Sequence, residues 1–298
     1  MLEIYRQVRA VAPSDDPVMV VGETGTGKEL VARALHDLSQ RNRKPFLAVN
    51  AAALSETLFE SELFGHERGA FSDARSEKPG LLEIAHQGTF YCDELPALSL
   101  GCQAKVLRVI EDGRVIRVGG VHSRPAAPRW IGSCQAIVPQ TGIGRGIRDD
   151  LWYRLAGAII LLPPLRERAG DIPLLVAHFL TLRGYPSDWF EDAALEALGA
   201  APWRGNVREL QRVVGRLVLS YDGNRITASA VRWELDGATD ATATRQRTEL
   251  LATLEAHAWN CHRTAQALGI ARGTLYRRLR AAGLERPGKV SRVFSERS

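Results

Sequence analysis

Residues 22–29 read GETGTGKE, that is Gly22, Glu23, Thr24, Gly25, Thr26, Gly27, Lys28 and Glu29, between an apolar run at 17–21 and a helical pattern at 30–35. Strand, glycine-rich turn and helix start, in that order, make a cradle for a triphosphate. The glycines let the backbone wrap the phosphates, the helix start offers unpaired N–H groups and a positive dipole end, and Lys28 reaches the β/γ-phosphates. One position departs from the general motif, because Glu29 follows the lysine where Ser or Thr would hold Mg²⁺. A second signature stands at 88–94, GTFYCDE, a β-rich run ending in two carboxylates. Asp93 is suited to hold Mg²⁺, directly or through water, and Glu94 to orient and polarise the water that attacks the γ-phosphate of ATP. The pair predicts ATPase machinery on an α/β core.

Composition sets the limits around this core. With 298 residues, 45% apolar and 24% charged, the chain can bury a full core and divides into two or three units. It shows no targeting signal and no apolar stretch approaching a membrane span, since the run at 158–162 stops at Pro163 and Pro164. A soluble, cytoplasmic protein without a membrane partner is expected. Cys92, Cys102, Cys134 and Cys261 have no metal-ligand spacing and read as small buried or incidental thiols.

Charge is concentrated at one end. Residues 247–298 hold ten Lys/Arg and four Asp/Glu, a net of +6 in a chain of total +5, which leaves −1 for residues 1–246. A near-neutral body with a basic end predicts that the C-terminus meets a polyanion, with double-stranded DNA the obvious candidate. That end carries three helical patterns: 247–257 with Leu250, Leu251 and Leu254, 263–268, and 271–282 with Leu275 and Leu279 inward. They predict a helix-turn-helix. Arg272 and Thr274 are expected near base edges, and Arg277, Arg278 and Arg280 on the outer face near phosphates. A solvated basic helix in a three-helix bundle is the rival reading. Ala271 stands where Ser or Asp would cap the third helix, and Gly273 weakens it by about 1 kcal/mol relative to Ala. The small polar stretch 236–246 has no apolar period and is expected to be a flexible linker, while 171–182, 189–198 and 206–220 are amphipathic helices.

Longer strings carry a resemblance. ESELFGHERGAFSDA at 60–74, QAKVLRVI at 103–110, RVGG at 117–120, LPPLRER at 162–168 and GNVREL at 205–210 accompany GETGTGKE. Together they resemble the bacterial enhancer-binding proteins, the AAA+ ATPases that activate sigma-54 RNA polymerase, over residues 1 to about 285. The end of the chain is similar to the Fis-like DNA-binding domain found in many of them.

The resemblance implies an α/β AAA+ P-loop core with a parallel sheet at 1–166 and an α-helical lid at 167–235. After the linker come an all-α helix-turn-helix domain at 247–285 and a basic tail at 286–298. It implies a homo-oligomeric ring, a hexamer built from dimers, in which arginines from one subunit serve the next. The string at 147–155 matches the family's FREDLYYRL, so Arg148 and Arg154 become candidate fingers, with a surface salt-bridge pair as the plain alternative. Arg208 corresponds to sensor II. Asn50 corresponds to the asparagine that restrains the catalytic glutamate, here Glu94, with a buried structural Asn as its rival. Gly69, Ala70, Phe71 and Ser72 match the first part of the loop that meets sigma-54, and Phe71 is expected on an exposed tip.

Two departures bear on function. Ser133-Cys134-Gln135 stands where the family shows Ala-Thr-Asn at sensor I, so Gln135 keeps an amide one methylene further out. Asp73 replaces a glycine in the partner loop and adds negative charge where φ > 0 is needed. The function expected is a transcriptional activator that binds an upstream enhancer and uses ATP hydrolysis, with Mg²⁺, to remodel sigma-54 holoenzyme. Two alternatives stay open: an AAA+-fold DNA-binding regulator, such as a repressor, that no longer engages sigma-54, and an AAA+ protein-remodelling ATPase. Because the AAA+ pattern begins almost at Met1, no room is expected for a receiver or ligand-sensing domain. Control of the two-component kind would then come from a separate protein, from abundance or from a further part of the protein.

Overall fold

The structure, a computed structural model, describes residues 1–53, 55–72, 74–136, 144, 146–220, 225–236, 240–270, 272–282 and 284. The helices, in chain order, are α1 Leu2–Val11, α2 Lys28–Asp37, α3 Glu56–Phe64, α4 Leu81–Ile84, α5 Leu100–Asp112, α6 Asp149–Leu155, α7 Ile172–Thr181, α8 Asp192–Gly199, α9 Asn206–Ser220, α10 Ala228–Asp236, α11 Asp240–Ala256, α12 Cys261–Ala267 and α13 Arg272–Ala281. The strands are β1 Val18–Val21, β2 Phe46–Asn50, β3 Gly65–His66, β4 Lys78–Pro79, β5 Thr89–Asp93, β6 Arg114–Ile116, β7 Ser123–Pro125, β8 Arg129–Cys134 and β9 Ala158–Leu161.

Two compact units result: residues 1–168 with 205–207, and residues 169–204 with 208–298. In the first, five parallel strands form one sheet in the order β2-β5-β8-β1-β9. After β1 the chain crosses to the far edge before returning, so the carboxyl ends of β1, β5 and β8 open onto the place where strand order reverses. That is where open α/β sheets bind ligands.

Both faces of this sheet are covered over its central strands β1, β5 and β8, which is why those strands are mostly apolar. Along β1 the side chains alternate: Val18 and Val20 join Leu35, Tyr91, Ile131 and Ile160 on one face, and Met19 and Val21 join Phe90, Leu95, Trp130 and Leu151 on the other. Cys92, Cys102 and Cys134 are buried as expected, and burial pushes the Cys134 thiol up to about 11. These thiols are inert packing groups.

Arg129 welds α1 to the sheet. It is buried, and its guanidinium donates to the carbonyls of Ala12 at 2.7 Å, Val11 at 2.9 Å and Asp16 at 3.3 Å. Replacing it with Met leaves those carbonyls without their donor, and Arg129→Met is expected to cost about 3 kcal/mol. Urea unfolding of the full chain checks this through a lowered midpoint with an unchanged m value.

The second unit is helical. α8 and α10 pack together, joined by a bridge between Phe190 and Ile226. Trp203 is buried there and donates its indole N–H to Leu198 O at 2.7 Å. The sequence expectations for α7, α8 and α9 hold to within a few residues, but α10 carries no signal strong enough to be read beforehand.

The expected linker is shorter than its composition suggests, because α11 begins at Asp240 and takes in residues 240–246. Alanine, arginine and glutamine there are good helix formers, so an aperiodic stretch continues a helix set by Leu250 and Leu254. Residues 237–239 and the basic tail at 286–298 lie outside the described residues. The lid boundary differs as well, since residues 205–207 belong to the first unit. Among the described residues, no helix is long and apolar enough to cross a membrane.

Candidate active site

The phosphate loop runs from the end of β1 into α2. Gly25 and Gly27 have φ of 82° and 105°, a region that side chains rarely enter, so glycine is required at both. α2 starts at Lys28 with no side-chain cap on Gly27, which leaves its first-turn amides and dipole open to an anion. Lys28 is buried; its ammonium donates to Gly22 O at 2.9 Å and lies 3.7 Å from Glu94 Oε1. Thr26 stays within the turn, donating to Glu23 O at 2.7 Å. Glu29, expected among the nucleotide ligands, turns its side chain outward and accepts from Arg33 at 2.8 Å. An i,i+4 pair on an exposed helix face holds it there, so only its backbone remains at the site.

Glu23 is locked. Its carboxylate takes a bidentate pair from Arg166 at 2.7 and 2.9 Å and a third bond from Asn206 Nδ2 at 3.1 Å. The Arg166 bond foremost, then that from Asn206, holds the carboxyl down at about 2. The sign follows: this group contributes stability above its ordinary value of 4.5 and loses it as pH falls towards 2. Asn206 is buried with φ 55°, also donates to Thr24 O at 3.0 Å and accepts from Leu165 N at 2.7 Å, while Val207 N donates to Gly25 O at 3.0 Å. Arg168 donates to Thr26 O at 2.9 Å. The first residues of α9 therefore brace the phosphate loop from behind. No sequence signal for Asn206 was read; the nearest was its place beside Arg208.

Asp93 closes β5. Its Oδ1 accepts from Ser133 Oγ at 2.5 Å and Tyr91 OH at 2.9 Å, and its Oδ2 from Asn50 Nδ2 at 3.2 Å. Asn50 was expected on Glu94, and the sheet register explains the difference. Asn50 and Asp93 are direct partners across β2 and β5, whereas Glu94 lies one residue on, turned away by a left-handed φ of 54°. Gln135 reaches Glu94 in its place, with Nε2 at 3.3 and 3.4 Å from the two carboxylate oxygens. Glu94 N donates to Ser133 Oγ at 3.1 Å. Ser133 and Tyr91 were not foreseen as supports of the acid pair.

The residues present fit a nucleotide and its metal: an uncapped helix start behind left-handed glycines, a buried lysine, and an oriented carboxylate, the hard oxygen donor that Mg²⁺ prefers. Lys28, Asp93, Glu94, Asn50 and Gln135 come together within one unit. Arg148 and Arg154 stand apart from them. Arg148 makes two bonds to Asp150, at 2.8 and 3.0 Å, which raise its own pKa and lower that of Asp150. Arg154, in the last turn of α6, is exposed and makes no ion pair among the described residues. Arg208 lies in the second unit, in the first turn of α9.

The segment expected to meet a partner rises from the β3–β4 ribbon. Its tip is a turn in which Gly69 N donates to Ala74 O at 2.8 Å and Ala74 N to Phe71 O at 2.9 Å. Phe71 is 42% exposed and rests edge-on against His66, with ring centroids 5.0 Å apart. Ala70 N bonds back to Glu67 O, Ser72 is exposed, and Asp73 lies outside the described residues. At the base, buried Arg117 gathers Glu83, Glu77 and Glu67 at 2.9, 3.1 and 3.5 Å.

In the C-terminal helices Leu250, Leu254, Ala265, Ile270, Leu275 and Leu279 are buried, and Asn260 caps α12 by accepting from His262 N and Arg263 N. Arg272 is exposed. Thr274 is not: it is buried and donates to Ser220 O at 2.6 Å, because its short hydroxyl side chain fits against the end of α9. Arg278 is half-buried, with its guanidinium 4.2 Å above the Trp233 ring. The side chains of Arg277 and Arg280, and all of Ala271, lie outside the described residues.

Comparison with known proteins agrees with this arrangement in order and extent. Residues 1–160 match the family described as the sigma-54 interaction domain, residues 166–248 the AAA+ ATPase lid domain, and residues 244–281 the bacterial regulatory protein, Fis family. The chain is 43% identical to the DNA-binding transcriptional regulator NtrC of Rhizobium meliloti over 79% of its own length and 49% of that protein. It is 41% identical to the C4-dicarboxylate transport transcriptional regulatory protein DctD of Pseudomonas aeruginosa over 95% of its length and 63% of that protein. Among solved structures it resembles NtrX from Brucella abortus, with a TM-score of 0.71 and 34% identity, covering 95% of this chain and 68% of that one. A second structure of NtrX, in complex with ATP, has a TM-score of 0.69 at 32% identity over 95% of this chain and 68% of that one. The chain spans about half the length of the first curated relatives it matches. With a sigma-54 interaction domain, an AAA+ lid and a Fis-type helix-turn-helix in that order, the chain belongs to the family of sigma-54-dependent transcriptional activators.

Proposed function

We propose that this protein is an ATP-driven transcriptional activator. Its C-terminal helices bind an upstream DNA site, its AAA+ units assemble into a ring, and ATP hydrolysis moves the Phe71 loops against sigma-54 holoenzyme to open the promoter. The observation that carries this reading is a phosphate loop and an oriented acid pair in the same unit as an insertion with a half-exposed aromatic tip.

ATP is the substrate, with phosphates along Gly22 to Lys28 and the γ-phosphate before Glu94. Mg²⁺ would neutralise charge on the phosphates from beside Asp93. Ser133, Tyr91 and Asn50 orient that carboxylate, and Glu94 orients the water. Arg148 and Arg154 belong, in this reading, to the neighbouring subunit's site, and Arg208 to the lid's contact with nucleotide. Arg272, Arg277 and Arg280 serve DNA; Arg278 and Thr274 do so only if α13 leaves α9 and α10. Meeting the polymerase places the protein in the cytoplasm.

The departures at 133–135 and at Asp73 favour the regulator that no longer engages sigma-54 as the second reading. Open-complex formation on a sigma-54 promoter separates the two. The first expects opening with ATP and none with a non-hydrolysable analogue; DNA binding without ATP-dependent opening supports the second.

A further inference from the structure

We infer that in this chain Gln135 is the positioning residue that restrains Glu94, Asn50 being directed to Asp93 instead. The inference rests on the ATP-hydrolysing reading above and names how that site is kept quiet.

The geometry directs the Asn50 side chain to the other acid. Its Nδ2 donates to Asp93 Oδ2 at 3.2 Å and its Oδ1 accepts from Ala52 N at 2.8 Å. The direct pairing of Asn50 with Asp93 across β2 and β5 sets these two residues side by side at the strand ends. Glu94 is reached from β8 instead. Buried Ser133 accepts from Glu94 N at 3.1 Å while donating to Asp93, so one hydroxyl ties the backbone of one acid to the carboxylate of the other. Two residues further, Gln135 follows the end of the same strand and sets its amide against both carboxylate oxygens of Glu94, at 3.3 and 3.4 Å.

The Lys28 ammonium also lies 3.7 Å from that carboxylate. Glu94 is thus held between the phosphate-loop lysine and a neutral amide, on a backbone in the left-handed region. A carboxylate engaged by two donors is a poorer acceptor for a water proton than a released one. When phosphates draw Lys28 away, Gln135 is the side chain left holding Glu94. Its extra methylene supplies the reach, because a shorter amide on the same backbone would end well short of the carboxylate.

The test uses the full chain and measures ATP turnover and KM without sigma-54, together with ADP binding. Gln135→Ala is expected to raise basal kcat about tenfold, the value of one hydrogen bond to a charged group, with KM and ADP affinity nearly unchanged. Gln135→Met, of equal length without a donor, is expected to behave in the same way, and Gln135→Asn to fall with them rather than with the wild type. A merely packing role would be kept by Met and would leave kcat unmoved. If the wild type hydrolyses ATP and Gln135→Ala is no faster, or weakens ADP binding, the restraint is refuted and Gln135 is a nucleotide contact. If wild type and Gln135→Ala are both silent while binding ATP, the hydrolytic reading falls and the restraint with it.

Discussion

Arg154→Ala is expected to lower ATP turnover by about 10³-fold while leaving ATP binding intact, the scale on which an arginine supplied in trans acts on the γ-phosphate. The expectation turns on a contrast between two arginines six residues apart. Arg148 is tied to Asp150 by two bonds, whereas Arg154 projects from the last turn of α6 with no carboxylate partner among the described residues. Exposed and without an ion pair among the described residues, Arg154 suits a neighbour's site better than its own. Mixing Arg154→Ala with Lys28→Ala subunits checks the direction of action. In a random mixed ring about a quarter of the interfaces combine an intact loop with an intact finger, so two nearly inactive proteins should regain activity together. No recovery on mixing, with rings still forming, would show that Arg154 acts within its own chain or not at all.

Lys28→Ala is the second large effect, with a loss of about 10²- to 10³-fold in kcat, as for a preorganised donor removed from a site of developing charge. The lysine is buried and faces both Gly22 O and Glu94, so its removal takes away the charge that draws the γ-phosphate to the acid pair. Lys28→Arg should not rescue it, because a planar guanidinium cannot replace a compact ammonium beneath the loop. DNA binding by the C-terminal helices should survive the change. An electrophoretic mobility shift that disappears in Lys28→Ala would indicate that the variant has lost more than catalysis. If Lys28→Ala hydrolysed ATP at the wild-type rate, residues 22–29 would be no phosphate loop.

Much of the nucleotide site was legible because its residues are local in sequence. A strand, a turn and a helix start lie within twenty residues, and glycines at 25 and 27 announce a left-handed backbone wherever they are read. Asp93 and Glu94 were legible for the same reason. What could not be read was which neighbour each acid has, because β2, β5 and β8 are far apart in the chain and meet only through sheet order. The register sent Asn50 to Asp93 and brought Gln135 to Glu94. Asn206 escaped notice because its partners, Glu23 and Thr24, lie more than 180 residues away. At the other end, the apolar spacing of Leu275 and Leu279 revealed the inner face of α13, but no period could tell that Thr274 would bond to Ser220 or that Arg278 would lie over Trp233.

The α/β core, the phosphate loop, the acid pair and the basic helical end can be read from the chain alone, because each is set by spacing within a few turns or strands. How the acids are held, which glutamate faces the site and which arginines are left available follow from contacts between distant segments. Those outcomes depend on the parallel order β2-β5-β8-β1-β9, which places side chains from distant segments within hydrogen-bond reach at the carboxyl ends of the strands.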